Sequence, residues 1–597
     1  MYLAAHNDHG DGPLTTPSTL NQTMSEHSQE HPVVDSSVEE ESAGALPSTA
    51  LHKPASNIPS LLVAFLASLT TGATTYAFGL YGGALKKELG LSQAQLDAIS
   101  TAFFVAGLAS WIPGMGVDRW GPRTSLSTGG WMGCAALLLY YGVATQTIVV
   151  PRPLLVTFLS GIGVLIFLSS AMVTGSVFKL IVSTCGPGTK GSAVGVAKGY
   201  VGLGSGLYAA LFRSLPVHSD LDFLPMAALL AALCAGLPAR ILLPVEAPAV
   251  TVDETTPRHF RILYASLGGM ASVIIATSLS ALHHTQLRHA NYPLFLLLLL
   301  LWWGPLVALW YLPRNDRIGV SEDGPVQRIE DDEVLTSEEL DAQHNDEEEE
   351  QGLLTSIETE DEPRQEYTLL QMLQTPSALL LIWTTTILVG GGTVVTNNMA
   401  QMVESLGFQE QVGPACLALF SVAQSGARVA TGALSEAALN WNVRGCCIER
   451  GVPRPFFYVA ASLVAVLAHV ILGIAVHEMA FVLGSTLAGM AFGMAWPLMV
   501  LMIGEVFGTA HVAANYMFFD GFSSAAGTVF LSMMVAGDLY EDHIDPNSDD
   551  PLTCMGAACF RTSHLIVAIL SLTCIVTSAG MMYTSRHVYS SQQLHTH

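Results

Sequence analysis

The chain has 597 residues, of which 50% are hydrophobic and 12% charged, with a formal net charge of −25. About 23 of the excess negative charges fall in residues 1–57 and 314–373, so the remainder is nearly neutral. That distribution offers nucleic acid no basic face. No phosphate-binding glycine loop, dinucleotide fingerprint or zinc-hydrolase helix motif is present, so neither an enzyme nor an ATP-driven pump finds support, and no cofactor is expected.

Residues 1–57 are polar and acidic and carry no secretory signal, which predicts a disordered cytosolic tail. Fourteen apolar stretches of about 20 residues or more follow, at 58–82, 95–117, 125–147, 153–178, 190–213, 222–243, 262–283, 292–313, 377–400, 411–436, 455–476, 479–503, 510–536 and 563–584. Each is long enough to cross a bilayer core of roughly 30 Å as a helix. Lipid requires every backbone polar group to be satisfied within the segment, so runs of this length read as helices. With the amino terminus inside, Lys and Arg concentrate on the cytosolic side. The first segment then acts as an uncleaved signal-anchor.

The expected class is all-α and polytopic: a six-helix bundle over 58–243, an extra hairpin over 244–313, and a second six-helix bundle over 377–584. A disordered acidic cytosolic linker over 314–376 and a short cytosolic tail over 585–597 complete the chain. This 6 + 2 + 6 order is that of a major facilitator fold with an added pair, whose substrate site lies at the midplane between halves. The linker holds Glu349, Leu353 and Leu354 at the spacing of an acidic dileucine sorting signal, and Tyr367 and Leu370 at that of a tyrosine-type signal. Sorting adaptors are the partners such patterns imply; a plain solvated tether is the alternative.

Between the second and third segments, Gly114, Asp118, Arg119, Gly121, Arg123 and Leu126 follow the order G-x-x-x-D-R-x-G-x-R-x-x-L, the cytosolic loop signature of major facilitator transporters. Asp118 is suited to pairing with cations or capping a helix of the other half. With Arg119 and Arg123 it is expected to hold a cytosolic gate shut. A degenerate counterpart, Arg428, Gly432, Ser435 and Glu436, follows the second helix of the second half. A fainter echo relates Gly188, Thr189, Lys198 and Gly199 to Gly508, Thr509, Asp520 and Gly521, with spacings that differ by two residues.

Three ionised groups lie deep in apolar segments: Lys198, Arg428 and Asp520. An intramembrane charge costs roughly 2.5–3.5 kcal/mol on insertion scales, so it should face a partner or water. Lys198 and Arg428 are expected at similar depth across one cavity, where they would attract a small organic anion. Asp520 is then a counter-ion or a proton carrier; structural ion pairs locking helices are the alternative. Asn397, Asn398 and Gln401, and Tyr76 on the first helix, are further substrate-binding candidates. His283, His284 and His289 cluster with Arg288 in a non-cytosolic loop, which reads as solvated rather than as a metal site. Cys554 and Cys559 stand in a polar non-cytosolic loop where a disulfide could persist.

Several runs together resemble the plant nodulin-like branch of the major facilitator superfamily. They are Tyr76-Ala77-Phe78-Gly79 with Leu85 and Lys86; Lys190, Gly191, Val194, Gly195, Lys198, Gly199, Gly202 and Gly204; Asn398, Gln401, Ser405, Leu406 and Gly407; Ser435-Glu436; Glu505 to Gly508; and Cys554, Gly556, Cys559 and Phe560. The resemblance implies a multi-pass secondary transporter, distantly related to monocarboxylate and oxalate–formate carriers; a monomer in the plasma membrane or a vacuolar or endosomal membrane is expected. It also implies that Arg428, on the helix matching the tenth segment, contacts a substrate carboxylate. A membrane receptor or scaffold, and a metal or metal-chelate carrier, are the rival readings.

Overall fold

The computed structural model describes residues 55–76, 78–216, 218–245, 251–283, 291–312, 365–409, 411–439, 451–544 and 553–591. The dileucine pattern (Glu349, Leu353, Leu354), His284, Arg288 and His289 lie outside them, as do the side chains of Tyr76 and His283.

Each of the fourteen apolar stretches is mostly helical over its described residues. The first becomes two helices, α1 (Ile58–Tyr76) and α2 (Phe78–Leu89). α3 (Gln93–Val105) starts at a Ser92 and Gln95 capping box, in which each side chain takes a backbone N–H that the helix end leaves open. A short 3-10 turn leads into α4 (Trp111–Ala144), which is interrupted at Gly121, whose φ of 78 is left-handed. α5 (Arg152–Thr184) and α6 (Lys190–Arg213) follow. α7 (Phe223–Ala231) and α8 (Leu237–Leu242) are joined through a π-helical turn. α9 (Pro257–His283) and α10 (Tyr292–Tyr311) form the extra hairpin, which lies against α1 and α6.

After α11 (Leu369–Leu373), the second group comprises α12 (Pro376–Asn397), α13 (Met399–Ser405), α14 (Val412–Leu439), α15 (Pro455–Ile474) and α16 (Glu478–Val506). It continues with α17 (Val512–Gly527), a π-helical stretch Thr528–Gly537, α18 (Asp538–Asp542), α19 (Ala558–Thr584) and α20 (Arg586–Ser591). Among the described residues, nine helices are individually long and apolar enough to cross a membrane, and a bent pair around Ser110 makes a tenth. α6 and α14 are not among them. They exchange apolar bulk for glycine, serine and an ion, which suits helices that face other helices rather than lipid.

The two groups meet where α6 packs along α14 and α4 along α17. Close approach requires residues without side chains there. A Cβ on Gly191 would come within 2.5 Å of the Gly432 carbonyl oxygen, and one on Gly114 within 2.7 Å of that of Ala513. A two-residue parallel bridge, β1 (Ala55–Ser56) with β2 (Thr251–Val252), ties the start of the described chain to the segment before α9. Cys554 and Cys559 are joined by a disulfide, and the N–H of Gly556 in that loop donates to the Ser405 carbonyl at 2.7 Å.

Candidate functional site

α6 and α17 each begin after a glycine with left-handed φ, Gly188 at 92 and Gly508 at 87. Lys198 is the ninth residue of α6 and Asp520 the ninth of α17, so each lies about 12 Å along its helix. The two-residue offset between the echoed runs is absorbed in the turn before α17. Their charges meet: Lys198 Nζ is 3.2 Å from Asp520 Oδ1, and the Tyr516 hydroxyl bridges the two groups, accepting from Lys198 and donating to Asp520.

Lys198 is buried and caged. Its ammonium lies 4.6 Å from the ring centre of Phe178, 4.7 Å from Trp496 and 4.8 Å from Tyr516. Cation–π attraction over several faces offsets part of the desolvation of the charge. Arg428 is also buried. It donates to the Lys198 carbonyl at 3.0 Å and to Gln424 Oε1 at 2.9 Å, beside the rings of Trp496 and Phe492. Lys198, Arg428 and Asp520 line one cavity of about 70 Å³, drawn from both groups of helices. Phe104, Phe167, Phe492, Trp496 and Met517 supply its apolar wall. Thr71, Ser170, Thr174, Thr393, Ser524 and Thr528 supply hydroxyls.

On one side of this cavity the halves are closed by two reciprocal carboxylates. Asp118 of α4 accepts from the N–H groups of Ala513 (3.3 Å) and Ala514 (2.8 Å) at the start of α17. Glu436 of α14 accepts from the N–H groups of Gly188 (2.6 Å) and Gly191 (2.8 Å) at the start of α6. Each acid thus satisfies open donors at a helix N-terminus of the other half, where the helix dipole also favours a negative charge. Each is four residues after its contact glycine, Gly114 and Gly432. Each is paired within its own half, Asp118 with Lys179 at 2.6 Å and Glu436 with Arg454 at 2.7 Å. Arg454 extends the second cluster to Glu505 (2.7 Å) and Ser435 (2.9 Å). Tyr589 donates to Glu505 at 3.2 Å.

Arg119 and Arg123 do not cross between the halves. Arg119 is exposed, and Arg123 donates to the carbonyl of Arg240 in its own half at 2.9 Å. The amides expected at the substrate are used elsewhere. Asn397 and Asn398 each donate to Ser532 at 3.2 Å, across to the π-helical stretch, and Gln401 is exposed. None of the three lines the cavity. Tyr76 ends α1.

Sequence reasoning missed Lys179, Arg454, Tyr516 and Glu366. Glu366, near the end of the acidic linker, accepts from the N–H groups of Thr509 (3.1 Å) and Ala510 (2.8 Å) in the turn before α17. Asp253 clasps the matching turn before α6, accepting from the Gly186 N–H at 2.9 Å and from Thr189. Burial pushes the Asp253 carboxyl up, but hydrogen bonds from Thr189, Thr255 and the Gly186 and Thr255 N–H groups outweigh it and hold the group below the usual carboxylate range. Only a repeated acid beside each left-handed glycine could have signalled these clasps, and both acids are distant in sequence.

The solved structure of the major facilitator proton:xylose symporter XylE bound to 6-bromo-6-deoxy-D-glucose is similar over 88% of this chain and 95% of that one, with 13% identity and a TM-score of 0.51. A double-tryptophan variant of XylE is similar over 89% and 96%, with 13% identity and a TM-score of 0.52. For a single-residue variant of the E. coli fucose:proton symporter FucP the values are 88% and 98%, 13% and 0.47. No curated protein sequence matches the chain. The chain has the major facilitator fold. Residues 60–308 match the model of the Nodulin-like family.

Proposed function

We propose that the protein is a secondary transporter that moves a small organic anion, such as a monocarboxylate, by alternating access. The observation that carries this reading is the meeting of Lys198, Arg428 and Asp520 in one cavity built from both halves. Two cations converging there suit a carboxylate, and Arg428 presents the planar fork that binds one bidentately. The aromatic wall suits a short apolar tail. Asp520 is the coupling acid. While ionised it holds Lys198; protonated, it releases the ammonium to the substrate, so that proton and anion travel together.

The reciprocal caps of Asp118 and Glu436 supply the closed state of one gate. By the distribution of Lys and Arg that gate is cytosolic, and this conformation is outward-facing. Rocking the halves apart exchanges these caps for water and opens the cavity to the other side.

A second reading is supported by the six hydroxyls of the lining together with Trp496, which suit a sugar or polyol. Uptake into proteoliposomes tests both. A panel of carboxylates and sugars is offered with and without an inward-directed pH gradient. Saturable carboxylate uptake stimulated by the gradient supports the first reading; sugar uptake with no carboxylate uptake or competition overturns it.

A further inference from the structure

Away from the central cavity, the lateral face formed by α4 and α8 carries a second cleft of about 540 Å³. Arg123, Thr124, Ser127, Thr128, Trp131 and Arg240 line it, and no Asp or Glu does. The bond from Arg123 to the Arg240 carbonyl draws both arginines to one rim. Neither guanidinium has an ion-pair partner among the described residues. The Nε–H of Arg123 is shielded from solvent and lacks a hydrogen-bond partner there. Buried donors are ordinarily satisfied, so an unspent one beside two unpaired cations points to an absent acceptor.

We propose that this cleft binds the phosphate of an anionic phospholipid, from the leaflet on the Asp118 side of the protein. Guanidinium forks match phosphate oxygens two at a time, and the hydroxyls of Thr124, Ser127 and Thr128 can donate to the rest. The rim favours a lipid over a soluble phosphate. Trp131 is 49% exposed, and Leu237 and Ile241, 41% and 69% exposed on α8, offer acyl chains an apolar track. Tryptophan and arginine at the end of a spanning helix are what an anionic headgroup layer selects. A zwitterionic headgroup presents the same phosphate but brings its own cation toward two arginines. The site is independent of the transported solute, because it shares no lining residue with the central cavity.

The test uses the full chain purified in detergent, with phosphatidylglycerol, phosphatidylcholine or inorganic phosphate added, and reads bound lipid per protein and the thermal midpoint. Phosphatidylglycerol should stay bound and raise the midpoint, whereas phosphatidylcholine and inorganic phosphate should not. Arg240→Gln should weaken phosphatidylglycerol binding about tenfold, the usual scale for a charged hydrogen bond. Since the Arg240 side chain is exposed and the bond from Arg123 goes to its backbone carbonyl, the variant should fold. Thr124→Val with Ser127→Val reads the same contact should it not. Retention of phosphatidylglycerol at the wild-type level in these variants, or equal protection by inorganic phosphate alone, would overturn the proposal.

Discussion

On the proposed function, coupling turns on Asp520, because Lys198, with which it forms an ion pair, is also the group that would greet an anion. Asp520→Asn keeps the shape but removes the proton-binding charge. We predict that it abolishes uptake driven by a pH gradient while substrate exchange continues. Gradient-driven uptake at wild-type rate would remove Asp520 from the coupling role. The gate acids make a separate prediction. Removing a charged cap of a helix N-terminus costs about 1 kcal/mol. Asp118→Asn and Glu436→Gln should each move the gate toward its open state about fivefold, read as faster labelling of a cysteine placed at Thr174 from the cytosolic side. Unchanged labelling in both variants would contradict the capping role. Glu436→Gln should also lower stability, since Arg454 then loses one of two carboxylates in a buried site.

At the next scale, the starts of α6 and α17 are paired, and each is held at its base by an acid from outside the six-helix bundles. Asp253 has its carboxyl held below the value of an unfolded chain. Its contribution to stability is therefore present above about pH 4, the ordinary aspartate value, and lost as pH falls through the lower folded value. Asp253→Asn should flatten the acid limb of a thermal-midpoint profile below about pH 4; an unaltered limb would show that the clasp adds nothing. The crossing of α6 and α14 depends on bare backbone. Gly432→Val places a side chain against the Gly191 carbonyl, and overpacking of this kind costs roughly 1–3 kcal/mol, here borne only by the closed gate. Uptake should fall at least severalfold with the protein still reaching the membrane. Normal uptake would mean that the helices do not close there.

Across the whole molecule, the sequence carried the spanning helices and the buried ions further than their partners. Apolar runs are local, so the helical character of these stretches was legible, and the cost of burying charge made Lys198, Arg428 and Asp520 conspicuous. Pairings across hundreds of residues were not. Nothing near Asp118 announces Lys179, and nothing near Glu436 announces Glu505 or Tyr589. The amides at Asn397 and Asn398 misdirected for a physical reason. A π-helical stretch presents Ser532 to them, so they are satisfied within the second half without touching the cavity. Arg119 and Arg123 matched a gate signature, yet of that signature's charged residues Asp118 is the one that hydrogen-bonds to the other half among the described residues.

Anion uptake by Lys198→Gln and Arg428→Gln in proteoliposomes, beside wild type and at matched protein content, tests the account most directly. It predicts that each loses at least about 90% of saturable uptake, the effect of removing a charge-assisted contact of about 1.5–3 kcal/mol, while the purified protein keeps its helical spectrum. Wild-type uptake in both variants would contradict a cavity in which these two cations receive the substrate.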